Sequence, residues 1–142
     1  MLSGTEMKRP PLTPPVGGGK TVAVAGGGNG VAVVGGGKAV AVVEAEKTAV
    51  IMSEHYPGYL WLAAGGLHEL TAPKLFPLRG LRIILFPDTD TDGEAFGTWF
   101  RVTQEAERLL GQTIHLSPLL EQHATPSQKQ RKIDIVDFLF GN

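Results

Sequence analysis

Three aspartates alternate in Asp88-Thr89-Asp90-Thr91-Asp92-Gly93, directly after the apolar run LRIILF (81–86) and Pro87. Carboxylates at i and i+2 of an extended segment converge on one side, where a hard divalent cation finds oxygen ligands. Three carboxylates in five residues also repel one another, a cost that a bound cation relieves. The competing reading is a solvated loop whose Asp92 caps the helix that follows. A further acid, Glu44, closes another apolar run in VAVVEAEKTA (40–49). Alone, a glutamate at a helix start serves the helix dipole. At the end of a buried strand beside the aspartate loop, it becomes a candidate partner of the same cation.

Other chemistries find less support. DTDTDG copies the first six positions of an EF-hand calcium loop, but its twelfth position holds Trp99 instead of a bidentate glutamate. Asp90-Thr91-Asp92-Gly93 also resembles the nucleophile loop of haloacid-dehalogenase-type phosphatases, which continues with Thr where this chain has Glu94. Gly17-Gly18-Gly19-Lys20-Thr21 suggests a phosphate-binding P-loop, yet Pro14 stands where its leading glycine belongs. There are no cysteines, which excludes thiolate zinc sites, disulfides and cysteine nucleophiles. His55, His68, His115 and His123 show no ligand spacing. A formal charge of −1, from 13 basic and 14 acidic residues, gives no global attraction to nucleic acid. Any such contact needs a local patch, and Lys129, Arg131 and Lys132 form the best one; a solvated loop is its alternative. Asp134 and Asp137, three residues apart, suit capping and dipole service at a helix start, with an outer-shell metal role left open.

The elements that must position these residues follow from apolar periodicity. Residues 1–20 are rich in Pro and Gly and read as an unfolded leader. TVAVAGGGN (21–29), GVAVVGGGK (30–38) and AVAVVEAEK (39–47) then repeat at a period of nine. Two readings of the first two copies compete: strands of a hairpin, or low-complexity linker. The ordering entropy of glycine triplets favours linker, so residues 1–38 are expected to stand apart from a domain over 39–142. From residue 39 strands and helices alternate. AVAVV (39–43), YLWLAA (59–64), LRIILF (81–86) and the weaker TIHLSPLL (113–120) read as strands. Helices are expected at 44–55, at 68–78 interrupted by two prolines, at 94–110 and as a last turn at 134–140; a polar loop precedes that turn. On the 94–110 helix, Phe96, Trp99, Phe100, Thr103, Ala106 and Leu110 form the core stripe, and Trp61 also reads as core.

This alternation predicts an α/β fold: a Rossmann-like parallel sheet of about four strands with helices on both faces. Ligands of such sheets bind beyond the carboxyl ends of the strands, where Glu44 and the aspartate loop both fall. No run approaches the ~18 apolar residues of a membrane span, and the N-terminus lacks the apolar core of a signal peptide. A cytoplasmic protein is expected.

A strand-end Glu, a helix, a strand closed by Gly-Gly and a strand-end D-x-D form an ordered set that resembles the Toprim family. That family includes DnaG-type primases, topoisomerases, OLD-type nucleases and recombination proteins. The matching stretches are VVEAEKTA (42–49), LAAGG (62–66), LRIILFPDTDTDG (81–93) and KIDIVDFL (132–139), the last similar to the close of primase-type and mobile-element relatives. Ala45 stands where many relatives have Gly, and Thr48 where some primases carry a further acid. The zinc-binding module and basic polymerase subdomain of complete primases have no counterpart in these residues.

The resemblance implies Mg2+ (or Mn2+) held by Glu44, Asp88, Asp90 and Asp92, with Glu44 completing the site or acting as general acid/base. It implies primase-like nucleotidyl transfer on nucleic acid, DNA above all, in a replication or mobile-element protein. Nucleotides and a replication helicase are the further partners implied, and Lys47, Lys129, Arg131 and Lys132 the nucleic-acid contacts. The alternatives are a Mg-dependent nuclease and a non-catalytic module that binds nucleic acid or a protein partner. Tyr56 and Tyr59 flank the end of the first helix and do not announce a topoisomerase nucleophile.

Overall fold

The computed structural model describes residues 38–141 and the backbone of residues 22–24. The leader, the Gly17–Thr21 segment and most of the second repeat copy lie outside the described residues. From the first copy, β1 (Val22–Val24) is described; the third copy supplies β2 (Ala39–Val43). Then follow α1 (Glu46–His55), β3 (Tyr59–Ala63), α2 (Ala72–Leu75) with a 3-10 turn at Phe76–Leu78, β4 (Ile83–Leu85) and α3 (Glu94–Leu110). The chain ends in β5 (His115–Leu116), α4 (Leu119–His123), α5 (Pro126–Gln130) and α6 (Ile135–Phe140).

The strands form one sheet in the order β1-β3-β2-β4-β5, and every pair is parallel. The fold is therefore α/β and Rossmann-like, with β2 and β4 as immediate neighbours near the centre. Val40, Val42, Leu60, Leu62, Ile83 and Leu85 face one side, where Leu75, Trp99, Ala106 and Leu110 cover them. Ala41, Val43, Tyr59, Trp61, Ala63 and Ile84 face the other, against Ala49 and Met52 of α1, Leu119 and Leu120 of α4 and Ile135 of α6. Burial on both faces is why these strands read as unbroken apolar runs instead of alternating ones. β1 borders β3 in parallel, pairing Val22 with Trp61 and Val24 with Ala63.

Several boundaries differ from expectation for identifiable reasons. α1 starts at Glu46, so Glu44 stays in the turn leaving β2. The fourth expected strand shrinks to two residues. Ser117 N–H still donates to the Leu85 carbonyl at 2.8 Å, but Pro118 has no N–H to extend the ladder, and the chain turns into α4 to bury Leu119 and Leu120. The expected polar loop contains α5, whose start at Thr125-Pro126-Ser127-Gln128 is a capping box with Pro at the first helical position. On α3 the buried stripe runs through Ala95, Trp99, Thr103, Ala106 and Leu110. Phe100 is 47% exposed and does not belong to it, because it lies 100° round the helix from Trp99.

Candidate metal centre at the carboxyl edge of the sheet

Adjacent parallel strands that end together deliver their next residues to one place. After β4, Phe86 N–H donates to the Val42 carbonyl at 2.8 Å, continuing the ladder to its end. Two residues later Asp88 N–H donates to Glu44 Oε2 at 2.9 Å. On the other flank Gly65 N–H donates to the Glu44 carbonyl at 2.8 Å, so Glu44 is fixed between β3 and β4. The glutamate is 9% exposed. Burial raises its pKa above the usual carboxylate range; the Asp88 N–H opposes that shift, Asp90 adds to it, His68 opposes it and Asp134 adds to it.

Asp88 is half-buried, and its pKa is pushed up to about 8. Burial is the largest cause, followed by the negative charges of Glu44, Asp134 and Asp137. Like charges gathered out of water disfavour ionisation, and a cation placed among them restores it.

Asp90 plays a different part. Its Oδ1 accepts from Glu94 N–H at 2.8 Å and its Oδ2 from Ala95 N–H at 2.9 Å, so both oxygens satisfy the first turn of α3. The helix has Gly93 at its N-cap position, in the left-handed region at φ 73°, and a glycine offers no side-chain acceptor. Asp92, expected to cap α3, is exposed and does not do so; Asp90 takes that role. The cause is the turn at Gly93, which swings the helix start back over Asp90.

Asp134 and Asp137 arrive from the far end of the chain. Asp134 Oδ1 accepts from Asp137 N–H at 2.8 Å in the capping box of α6, as the sequence suggested for this pair. Thr48 Oγ1 in α1 donates to Asp134 Oδ2 at 2.5 Å, and Thr89 N–H donates to the Ile133 carbonyl at 3.1 Å. These bonds bring the 133–137 segment against the aspartate loop across a separation in sequence that no local pattern encodes. Buried Thr89 Oγ1 has no hydrogen-bond partner among the described residues.

The basic candidates separate. Lys129 Nζ lies 4.0 Å from Glu121 Oε2, and a Cβ built on Gly93 would meet that same oxygen at 3.3 Å. Lys129 is thereby placed beside the aspartate turn. Lys47 is exposed in the first turn of α1, and Arg131 and Lys132 are exposed before α6, with Lys132 at φ 56°.

Oxygen donors are what Mg2+ and Mn2+ take, and Glu44 and Asp88 offer them from the ends of neighbouring strands, with pKa values raised chiefly by burial. Asp90 could add only the lone pairs that helix capping leaves. Asp92 stands apart. Among the described residues no three His, Asp or Glu side chains are already arranged to hold a metal.

In class, then, this is a parallel α/β domain with an acidic pair at the carboxyl edge of its central strands. A family model described as a domain of unknown function (DUF6371) is similar to residues 33–89, a stretch that begins within the second repeat copy and ends at Thr89, just past Asp88. No curated protein and no solved structure matches the chain. Among the described residues no helix is long and apolar enough to cross a membrane.

Proposed function

We propose that this chain is a Toprim-like domain of a cytoplasmic DNA-replication or mobile-element protein, with Mg2+-dependent, primase-like nucleotidyl transfer on nucleic acid as its activity. The observation that carries the reading is the junction of Glu44 and Asp88 at the ends of neighbouring strands, closed by a 2.9 Å hydrogen bond. A divalent ion bound there would neutralise charge on phosphate oxygens.

The protein's own residues supply the rest. Asp88 would hold the ion, and Glu44 would either complete its shell or act as general acid/base; in the second role, burial strengthens its hold on the proton it passes at the attacking or leaving oxygen. Asp90 fixes the start of α3 and so the shape of the loop. Lys129, which lies beside that loop, is the basic residue nearest to hand for a phosphate in this reading, and Lys47, Arg131 and Lys132 are exposed and open to further contacts with a nucleic-acid backbone. Nucleotides, DNA and a replication helicase are the partners of this reading.

One observation favours a non-catalytic module instead: Asp90 already spends both oxygens on helix amides, leaving a two-carboxylate centre. Parallel priming and nicking assays with Mg2+ or Mn2+, on wild type and Asp88→Ala, separate the possibilities. Primer synthesis lost in Asp88→Ala supports nucleotidyl transfer, and metal-dependent nicking lost in the same variant points to a nuclease. Metal-dependent DNA binding with neither reaction establishes the module. Activity that survives Asp88→Ala removes the proposed centre.

A further inference from the structure

The acidic edge is one-sided in its chemistry. Ionised Glu44, Asp88 and Asp90 only accept hydrogen bonds, so a phosphate engaged there needs donors from elsewhere. The fold brings one from β3. Gly65 and Gly66, at φ 95° and 149°, turn the chain sharply as it leaves that strand. Hydrogen bonds tie the turn to the rest of the domain: Gly65 N–H donates to the Glu44 carbonyl at 2.8 Å, and the Trp99 indole N–H to the Leu67 carbonyl at 2.9 Å. Trp99 is fully buried, so this backbone is tied at once to the end of β2 and to the body of α3.

The next residue is His68. Its Nε2 lies 3.9 Å from the Glu94 carboxylate in the first turn of α3, and the Glu94 N–H is itself held by Asp90. His68 also acts on Glu44 electrostatically, favouring its charged form as one of the smaller influences there. The imidazole thus stands on the rim of the site, between the strand end that carries Glu44 and the helix start that Asp90 caps. Its side chain is 70% exposed, so it is open to a ligand and adds little to the core.

We propose that His68 donates from its imidazole to a phosphate oxygen of the nucleotide or nucleic-acid strand engaged at the acidic edge. This rests on the metal-centre reading above. One charge-assisted hydrogen bond is lost when the ring is removed, and about a tenfold loss of affinity follows.

The test uses the full chain in saturating Mg2+. Binding of a fluorophore-labelled single-stranded DNA is followed by anisotropy and binding of ATP by calorimetry, the two arms separating strand from free nucleotide. His68→Ala should keep the wild-type rise in melting temperature with Mg2+ while losing about tenfold in affinity for at least one ligand. The His68 ring resonances of wild type should shift when that ligand is added. Glu94→Gln, which removes only the neighbouring carboxylate charge, should bind as wild type does. Equal affinity in His68→Ala and wild type, or a matching loss in Glu94→Gln, overturns the proposal while leaving the metal centre standing. So does a wild type that responds to Mg2+ yet binds neither ligand. A wild type whose melting temperature ignores Mg2+ and Mn2+ overturns the metal reading, and the role of His68 with it.

Discussion

Protonation of Asp88 couples the acidic edge to the stability of the whole domain. With its pKa pushed from 3.8 to about 8, the metal-free folded chain keeps a proton that the unfolded chain has released. Through that window the unfolded state binds fewer protons, so this contribution to stability is present in acid and is lost as pH rises towards 8. Thermal unfolding in chelator should therefore show wild type losing melting temperature between about pH 5 and pH 8. Asp88→Asn should flatten that slope and match or exceed wild type at the alkaline end, since a buried like charge is gone. Equal slopes would remove Asp88 as their source. Metal reverses the sign, because it needs the ionised carboxylate: stabilisation by Mg2+ should grow with pH and be largely absent in Asp88→Asn.

The two aspartates at the start of α3 differ in what they hold. Asp90 satisfies two amides of a 17-residue helix that carries Trp99, whereas Asp92 is exposed. In metal-free protein Asp90→Ala should cost about 1 kcal/mol, and Asp92→Ala should fall within about 0.5 kcal/mol of wild type. Denaturant unfolding of both variants checks this, and a larger loss in Asp92→Ala would reverse the assignment of the cap. A carboxylate just before a helix is a fair cap by pattern, but Gly93 at φ 73° bends the entry, and the acid two residues earlier reaches the amides. The signal missed at α5 was, by contrast, fully local: Thr125-Pro126-Ser127-Gln128 spells a capping box within a stretch read only as polar.

For the molecule as a whole, the repeat region is the open boundary. The domain expected over residues 39–142 supplies four of the five strands, and β1 from the first repeat copy covers the edge of β3. Removing residues 1–37 should leave a cooperatively folding domain, because among the described residues the buried members of its two cores run from Val40 onward. The loss should be a few degrees in melting temperature, with some self-association through the uncovered β3 edge. Removing residues 1–20 spares β1 and should do neither. Thermal unfolding and size-exclusion chromatography of the two truncations decide this; a collapse of the larger truncation would make β1 integral to the fold.

Local patterning was enough for the fold class, because continuous apolar runs such as AVAVV and YLWLAA mark strands buried on both faces whatever lies beyond them. It was also enough to nominate Glu44 and Asp88, since each follows such a run and ligand sites of parallel sheets gather at strand ends. Strand order was not local information. β4 settles beside β2, 44 residues separate the bonded Glu44 and Asp88, and only that adjacency converts two strand-end acids into one centre. The same holds for Asp134, which lies 86 residues from the Thr48 that orients it, and for His68, whose spacing to the other histidines says nothing about its nearness to Glu94. Side-chain roles at such a site depend on which backbone groups remain unsatisfied after packing, and packing is a property of the assembled sheet and helices.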